Sequence, residues 1–270
     1  MNELQSKLVE MLEWFHDFCK KNDLRYYIIA GTMLGAVRHG GFIPWDDDID
    51  VGMPRKDYEK LRQISAEQQK EKYMFEYPSK ENSRFPYLWA KLFDTTTSVI
   101  EIQRDRVKRG IYIDIFPLDG IGNAYNEAVD NFQPIKRKLS LNTIVSCSVL
   151  KRRKWYKNAA VVAGRLISPL FVNRHKLRIN LDILCQKYDF DDCEFVCNLM
   201  GGSNEKGIVK KDYFGKPTEV KFENIIVYGL EAPDGYLKSL YGSYMELPPI
   251  EKRISYHDME LCDLKKGYME

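Results

Sequence analysis

The sequence predicts an α/β (α+β) fold: a mixed sheet flanked by helices in the first half, with an additional mainly helical region behind it. Three observations carry this. Runs rich in β-branched and aromatic residues, "LRYYIIAG", "DIDVGM", "YLWAKLF", "TSVIEI" and "GIYIDIFPL", all fall before residue 120. From about Tyr125 to Tyr188 the apolar spacing turns helical. At 270 residues and 44% apolar composition the chain can bury a sizeable core, and no internal repeat or low-complexity tract competes with that reading.

Leu4, Leu8, Met11, Leu12, Phe15 and Phe18 recur at helical spacing, so residues 3–20 read as an amphipathic helix. "LRYYIIAG" follows as a strand that stops at Gly31, and "TMLGAVRH" as a short helix that Gly40-Gly41 ends. "DIDVGM" is the second strand, and Pro54 opens a helix running to about Lys72. Three further strands precede the helical region. Towards the C-terminus, "VKFENIIVYG" reads as strand or hairpin, "DGYLKSLYG" as a short helix and "LPPIEKR" as a loop. No linker stands out. The expected division is a sheet-based core over 1–123, a basic helical region over 124–190 and a mixed segment over 191–270 that completes the cleft.

No run approaches the roughly 18 apolar residues of a membrane span, and the first residues lack the apolar stretch of a signal peptide. The expectation is a cytoplasmic protein. Cys185, Cys193 and Cys197 lie close enough in sequence to be weighed as zinc ligands, but no CxxC pair or HxxxH accompanies them, and ordinary reduced cysteines are the better reading. The net charge of +2 hides an asymmetry: residues 131–181 contain 12 Lys and Arg and no Asp or Glu. Nucleic-acid binding is disfavoured, because the rest of the chain is net negative and no RNA or DNA motif appears. The mixture of apolar runs with Lys and Arg favours contact with an anionic membrane surface, at its inner face, over a plain solvated helical surface.

The chemistry concentrates in "GGFIPWDDDIDVGMP". Asp46, Asp47, Asp48 and Asp50 crowd among Ile43, Trp45, Ile49 and Val51, residues suited to burial. In a strand, residues i and i+2 share a face, so Asp46, Asp48 and Asp50 would line one side, Ile49 and Val51 the other, and Asp47 would point away as the dispensable member. Like charges so close need a cation, and oxygen-only clusters suit Mg²⁺ or Mn²⁺. An EF-hand is excluded, since Val51 stands where its glycine is required and Asp57 where its glutamate is. Asp114, alone in the apolar "GIYIDIFPLDG", is a second carboxylate that burial makes costly without a partner. Three carboxylates on two strands are how a divalent-ion site for phosphoryl chemistry assembles. "IIAGTMLGA" offers a glycine, a hydroxyl and a helix start to a phosphate, though no GK[ST] follows and it is not a Walker loop.

Gly31-Thr32, then Asp48-Ile49-Asp50-Val51, then Asp114 in "YIDIF" resemble the nucleotidyltransferase-fold pattern, with threonine where serine is usual. More narrowly, "GTMLGAVRHGGFIPWDDDIDVGM", "AKLFDTTT" and "YLKSLYGSYMELPPIEKR" resemble segments of the LicD family, to which fukutin-related proteins are distantly similar. The resemblance runs from the first helix to about His257. It implies a nucleotidyltransferase-like core and transfer of phosphorylcholine, or a related phospho-substituent, from a CDP-activated donor such as CDP-choline to a hydroxyl of a cell-surface glycan, lipopolysaccharide or teichoic acid precursor, the acceptor in some cases lipid-linked. It implies that Asp48 and Asp50 bind Mg²⁺, that Asp114 completes the metal site or helps deprotonate the acceptor, and that Gly31 and Thr32 hold nucleotide phosphates. Lys91, Arg38, Arg253 and His257 are candidate substrate contacts, and Asp46 a neighbour of the metal pair. His39 is not needed as a nucleophile. Trp45, Trp89 and Tyr112 lie near the acidic strands, but none is assigned to a choline head group. Two other classes stay in view: an Asp-x-Asp glycosyltransferase, which would normally place more strands before the motif, and a non-catalytic binding protein on the same fold.

Overall fold

The computed structural model describes residues 1–66, 72–83, 85–102, 105–146, 154–255 and 259–269. Its first helix, α1 (Glu3–Lys21), starts at a capping box in which Asn2 and Gln5 satisfy each other's backbone N–H groups. A short strand β1 (Tyr27–Ile28) leads into α2 (Ala30–His39), which Gly40 ends in the left-handed conformation that glycine adopts freely. Strand β2 (Asp50–Pro54) then feeds α3 (Arg55–Ala66).

Strands β3 (Tyr73–Glu76), β4 (Ala90–Asp94), β5 (Ser98–Glu101), β6 (Lys108–Arg109) and β7 (Tyr112–Gly122) follow. The apolar run that made β7 conspicuous makes it the centre of the main sheet: all of its residues are buried. The sheet order is β1-β2-β7-β4-β3, with β2 and β7 parallel and β4 antiparallel to β7. The helical region comprises α4 (Tyr125–Ser146), α5 (Trp155–Phe171) and α6 (Arg174–Cys185). Beyond it, β8 (Phe195–Cys197) pairs with the second half of β7 and with β9 (Val209–Lys210). Strands β10 (Thr218–Phe222) and β11 (Ile225–Gly229) form a hairpin, α7 (Pro233–Tyr241) packs beside α2, and β12 (Met259–Asp263) pairs with β5.

One apolar cluster joins α1, the strands of the main sheet, the hairpin and α7; a second lies between α4, α6 and the β7–β8 region. The chain end therefore packs into the same core as the first hundred residues. No helix among the described residues is long and apolar enough to cross a membrane.

Three local expectations change. "LRYYIIAG" is mostly not a strand: only Tyr27 and Ile28 pair with β2, and Ala30, at φ +49°, turns the chain straight into α2. Gly31 thus lies in the first turn of a helix. The second strand begins at Asp50 rather than Asp48, leaving Asp46–Ile49 as a loop behind the turn in which Asp46 N donates to Ile43 O. Pro54 closes β2 instead of opening α3. The helix after it is described as far as Ala66, and the expected extension to Lys72 runs into residues 67–71, outside the described residues.

Candidate functional site

Register builds the centre of the site. Asp50 on β2 stands opposite Asp114 on β7, and Lys91 on β4 stands opposite Asp114 from the other side. Residues in register share a face of the sheet, so the two carboxylates and the ammonium form one row across three strands. Asp48 joins from the loop: ligand oxygens of Asp48, Asp50 and Asp114 lie within 4.8 Å of one another. Oxygens of Asp46, Asp47 and Asp48 form an adjoining group within the same limit. Among the described residues these two aspartate groups are the ones that converge closely enough to hold a metal ion, whereas Cys185, Cys193 and Cys197 are buried free thiols.

Asp114 is buried, and burial pushes its carboxyl above the usual range; the charge and hydrogen bonds of Lys91 and Trp89 pull it back, and Asp48 adds to the rise. Trp89 Nε1 donates to Asp114 Oδ1 at 2.7 Å, and Lys91 Nζ lies 2.5 Å from the same oxygen. Lys91 is only 1% exposed, and the rings of Tyr112 and Tyr87 enclose its ammonium, with centroids at 3.3 and 4.2 Å. The sequence offers Lys91 as a candidate substrate contact; in the structure its ammonium pairs with Asp114, because the β4–β7 register sets the two directly opposite.

The loop is held from several directions. Thr32 Oγ1 accepts from Asp50 N at 2.8 Å, so this buried hydroxyl fixes the start of β2. Gln5, at the start of α1, donates to Asp46 O at 2.9 Å. A Cβ on Gly31 would meet Asp46 Oδ2 at 3.0 Å, so the absent side chain is what lets the first turn of α2 approach the carboxylate. Asp47 does not point away as expected of an extended strand: because the segment is a loop, its carboxylate stays with Asp46 and Asp48 and accepts from Ser255 Oγ at 2.6 Å.

A cationic and aromatic rim lies beyond the loop. Arg38 Nη1 donates to Tyr244 O at 2.7 Å, and Arg253 Nε to Pro248 O at 2.8 Å. The Arg253 guanidinium sits 5.6 Å from the Trp45 ring centroid. Burial lowers the pKa of Arg38, and the charge of Arg253 lowers it further. His39 accepts from Arg38 Nε at 3.0 Å and is exposed. His257 lies outside the described residues. Tyr241 was not anticipated. Desolvation raises its phenol pKa, and the charges of Asp50, Asp46 and Asp48 add to the rise. Tyr236, one turn earlier on α7, accepts from Ala30 N at 3.2 Å and locks α7 to the start of α2. The only sequence signal for either tyrosine was their place in "DGYLKSLYG".

Residues 23–142 match the family described as LicD/FKTN/FKRP, nucleotidyltransferase domain. The chain is 28% identical over 267 residues to the lipopolysaccharide cholinephosphotransferase LicD of Haemophilus influenzae, covering 96% of this chain and 97% of that protein. It is 44% identical over 41 residues to the human ribitol 5-phosphate transferase FKRP, a match spanning 15% of this chain and 8% of that protein. A third match, to mannosyltransferase regulator 4 of Saccharomyces cerevisiae, is 29% identical over 118 residues, 42% of this chain and 10% of that protein.

Proposed function

We propose, for a chain that carries a LicD-family domain over residues 23–142, that it transfers phosphorylcholine, or a related phospho-substituent, from a CDP-activated donor to a hydroxyl of a cell-surface glycan precursor. The observation that carries the reading is the convergence of Asp48, Asp50 and Asp114 oxygens within 4.8 Å, with Lys91 locked behind Asp114. The relative aligned over nearly the whole length is a cholinephosphotransferase by name, and FKRP is a ribitol 5-phosphate transferase. Both names describe movement of a phosphate that carries a small polar alcohol.

The donor set fits a hard divalent ion: all ligands are carboxylate oxygens, and three carboxylates outweigh the one neighbouring lysine. Asp48, Asp50 and Asp114 would hold Mg²⁺ or Mn²⁺, which when bound supplies charge neutralisation to the donor phosphates. The chain's own residues set the geometry. Lys91 and Trp89 fix Asp114, Thr32 fixes Asp50, and Gln5 fixes the backbone of Asp46. Arg38 and Arg253, the cations of the rim beyond the loop, suit the phosphate of the nucleotide. The acceptor oxygen forms the new P–O bond, the bond to CMP breaks with its electron pair leaving on CMP, and a half-exposed carboxylate of the loop takes the hydroxyl proton.

The test is CMP release from CDP-choline with Mg²⁺, with and without candidate glycan acceptors. Asp48→Asn and Asp50→Asn should each lower the rate by about a thousandfold or more, and EDTA should abolish it. Release that survives both substitutions overturns the assignment. Turnover of a nucleotide sugar instead supports a glycosyltransferase.

We place this reaction at the inner face of a membrane, where a lipid-linked acceptor would be presented. Within the basic segment, Lys136 pairs with Glu205, Arg174 pairs with Asp105, and Arg178 is buried. Arg137, Lys154 and Lys176 are exposed, and α5 carries Trp155 and Phe171 at 80% exposure each. Exposed aromatics beside cations suit the headgroup region of an anionic bilayer. Flotation with vesicles containing phosphatidylglycerol should recover the protein at low salt, and Trp155→Ser should weaken that; no flotation removes the membrane from the reading.

A further inference from the structure

Two kinds of surroundings adjoin the acidic cluster. Arg38, Arg253 and Trp45 form the cationic and aromatic rim. A cleft of about 80 Å³ runs from Asp50 to the loop 198–207 and α7. Phe116, Phe214 and Tyr236 supply its aromatic wall and Gly201, Gly202 and Ser203 its rim. No Lys or Arg is among the residues that line it, and Asp50 is its one charged group.

We propose that this cleft is the subsite for the donor's transferred substituent, that it selects a quaternary ammonium, and that the nucleotide therefore occupies the Arg38–Arg253 side. This rests on the reading of Asp48, Asp50 and Asp114 as the place where the donor phosphates sit. A donor held there carries two groups of different character. One is the anionic nucleoside phosphate, which needs cations. The other is the head group, which for a choline donor is a trimethylammonium without hydrogen-bond donors. A trimethylammonium is held by aromatic faces. Asp50 reaches both places, because it lines the cleft and belongs to the metal-binding group. The wall is rigid. Phe116 packs against Trp89 at 4.6 Å between ring centroids, and Phe214 against Tyr236 at 5.6 Å. Trp89 in turn is tied to Asp114, so one chain of contacts orders the aromatic wall and the carboxylate together.

Gly202 offers a way to fill the rim without harming the fold. A Cβ at this position meets nothing within 4 Å, and its backbone is not in the left-handed region. The experiment measures binding of CDP, CDP-choline and CDP-ethanolamine to the full chain and to Gly202→Leu, with Mg²⁺ present and melting temperatures compared. The wild type should bind CDP-choline about tenfold or more tighter than CDP or CDP-ethanolamine. Gly202→Leu should lose that preference and keep its CDP affinity and its melting temperature. Tyr236→Leu should also narrow the preference. Equal binding of the three ligands by the wild type overturns the subsite while leaving the nucleotide and metal reading intact. A Gly202→Leu chain that loses CDP as strongly as CDP-choline overturns the orientation, since the nucleotide would then lie in the cleft. Failure of the wild type to bind CDP at all overturns both readings.

Discussion

Lys91 Nζ lies 2.5 Å from Asp114 Oδ1, and the two residues face each other across the β4–β7 ladder. Both are buried. A carboxylate in such a place is tolerable only because a cation answers it. Lys91→Met keeps the apolar stem and removes the charge, leaving Asp114 with the Trp89 hydrogen bond alone on that oxygen. Without divalent ions the variant should be less stable by about 3–5 kcal/mol, the usual result of breaking a buried pair from one side. Mg²⁺ should then stabilise the variant more than it stabilises the wild type, because a bound ion takes over the lost charge. Denaturant titrations of both proteins with EDTA and with Mg²⁺ check this. An equal Mg²⁺ effect on the two would show that the ion does not sense Asp114.

Gly31 separates folding from function. It lies in the first turn of α2, where alanine is the better helix former by about 1 kcal/mol. Its missing Cβ is also what leaves Asp46 Oδ2 in place, 3.0 Å from where that carbon would stand. A carboxylate at the end of a flexible side chain can swing aside at little cost to the fold. Gly31→Ala should therefore melt within a few degrees of the wild type and lose about tenfold or more of its CMP release. Full activity would remove Asp46 from the site.

Asp47 carries a prediction opposite to its expected dispensability. Ser255 Oγ holds its carboxylate at 2.6 Å, linking the acidic loop to the segment that also brings Arg253 over Trp45. A hydrogen bond to a charged group contributes about 1.5–3 kcal/mol. Ser255→Ala and Asp47→Asn should each slow CMP release by about ten- to a hundredfold, and the double variant should be little worse than either. Effects that multiply would mean the two residues act separately. Asp48→Asn should be far more damaging than both.

What the sequence revealed follows from the range of the interactions involved. The helix over residues 3–20, the stop at Gly40, the hairpin in "VKFENIIVYG" and the burial of the Asp114 strand depend on local period and turn chemistry, and these were legible. So was the candidacy of Asp48, Asp50 and Asp114, acidic residues set in apolar stretches, although their convergence comes from the parallel β2–β7 register and from the loop that carries Asp48. The partner of Lys91 depends on cross-strand register between residues 91 and 114, which no local pattern specifies. Gln5 reaches Asp46 across 41 residues, and Ser255 reaches Asp47 across 208. The strand expected from Leu24 shrinks to Tyr27 and Ile28, and Ala30, at positive φ, turns the chain one residue before the glycine that marked the expected stop.

His16 makes a pH dependence that is independent of the site. Its ring is buried, Nδ1 lies 2.8 Å from Tyr26 Oη, and the Tyr228 ring packs on it at 4.7 Å. Burial lowers its pKa below 6.5; Asp17 and Glu219 pull it back up, and Lys20 lowers it further. The folded protein therefore binds this proton less readily than the unfolded chain does. Stability contributed by neutral His16 is present above pH 6.5, where neither state is protonated, and is lost as pH falls from there through the lower folded value. One such group changes stability by at most about 1.4 kcal/mol per pH unit. His39 is lowered as well, by burial and Arg38, and contributes with the same sign from an exposed position. His16→Gln, which can still meet Tyr26, should flatten the fall in urea midpoint between pH 7 and 5 relative to the wild type. His39→Gln should flatten it less. A wild-type slope retained in His16→Gln would place the acid sensitivity elsewhere in the chain.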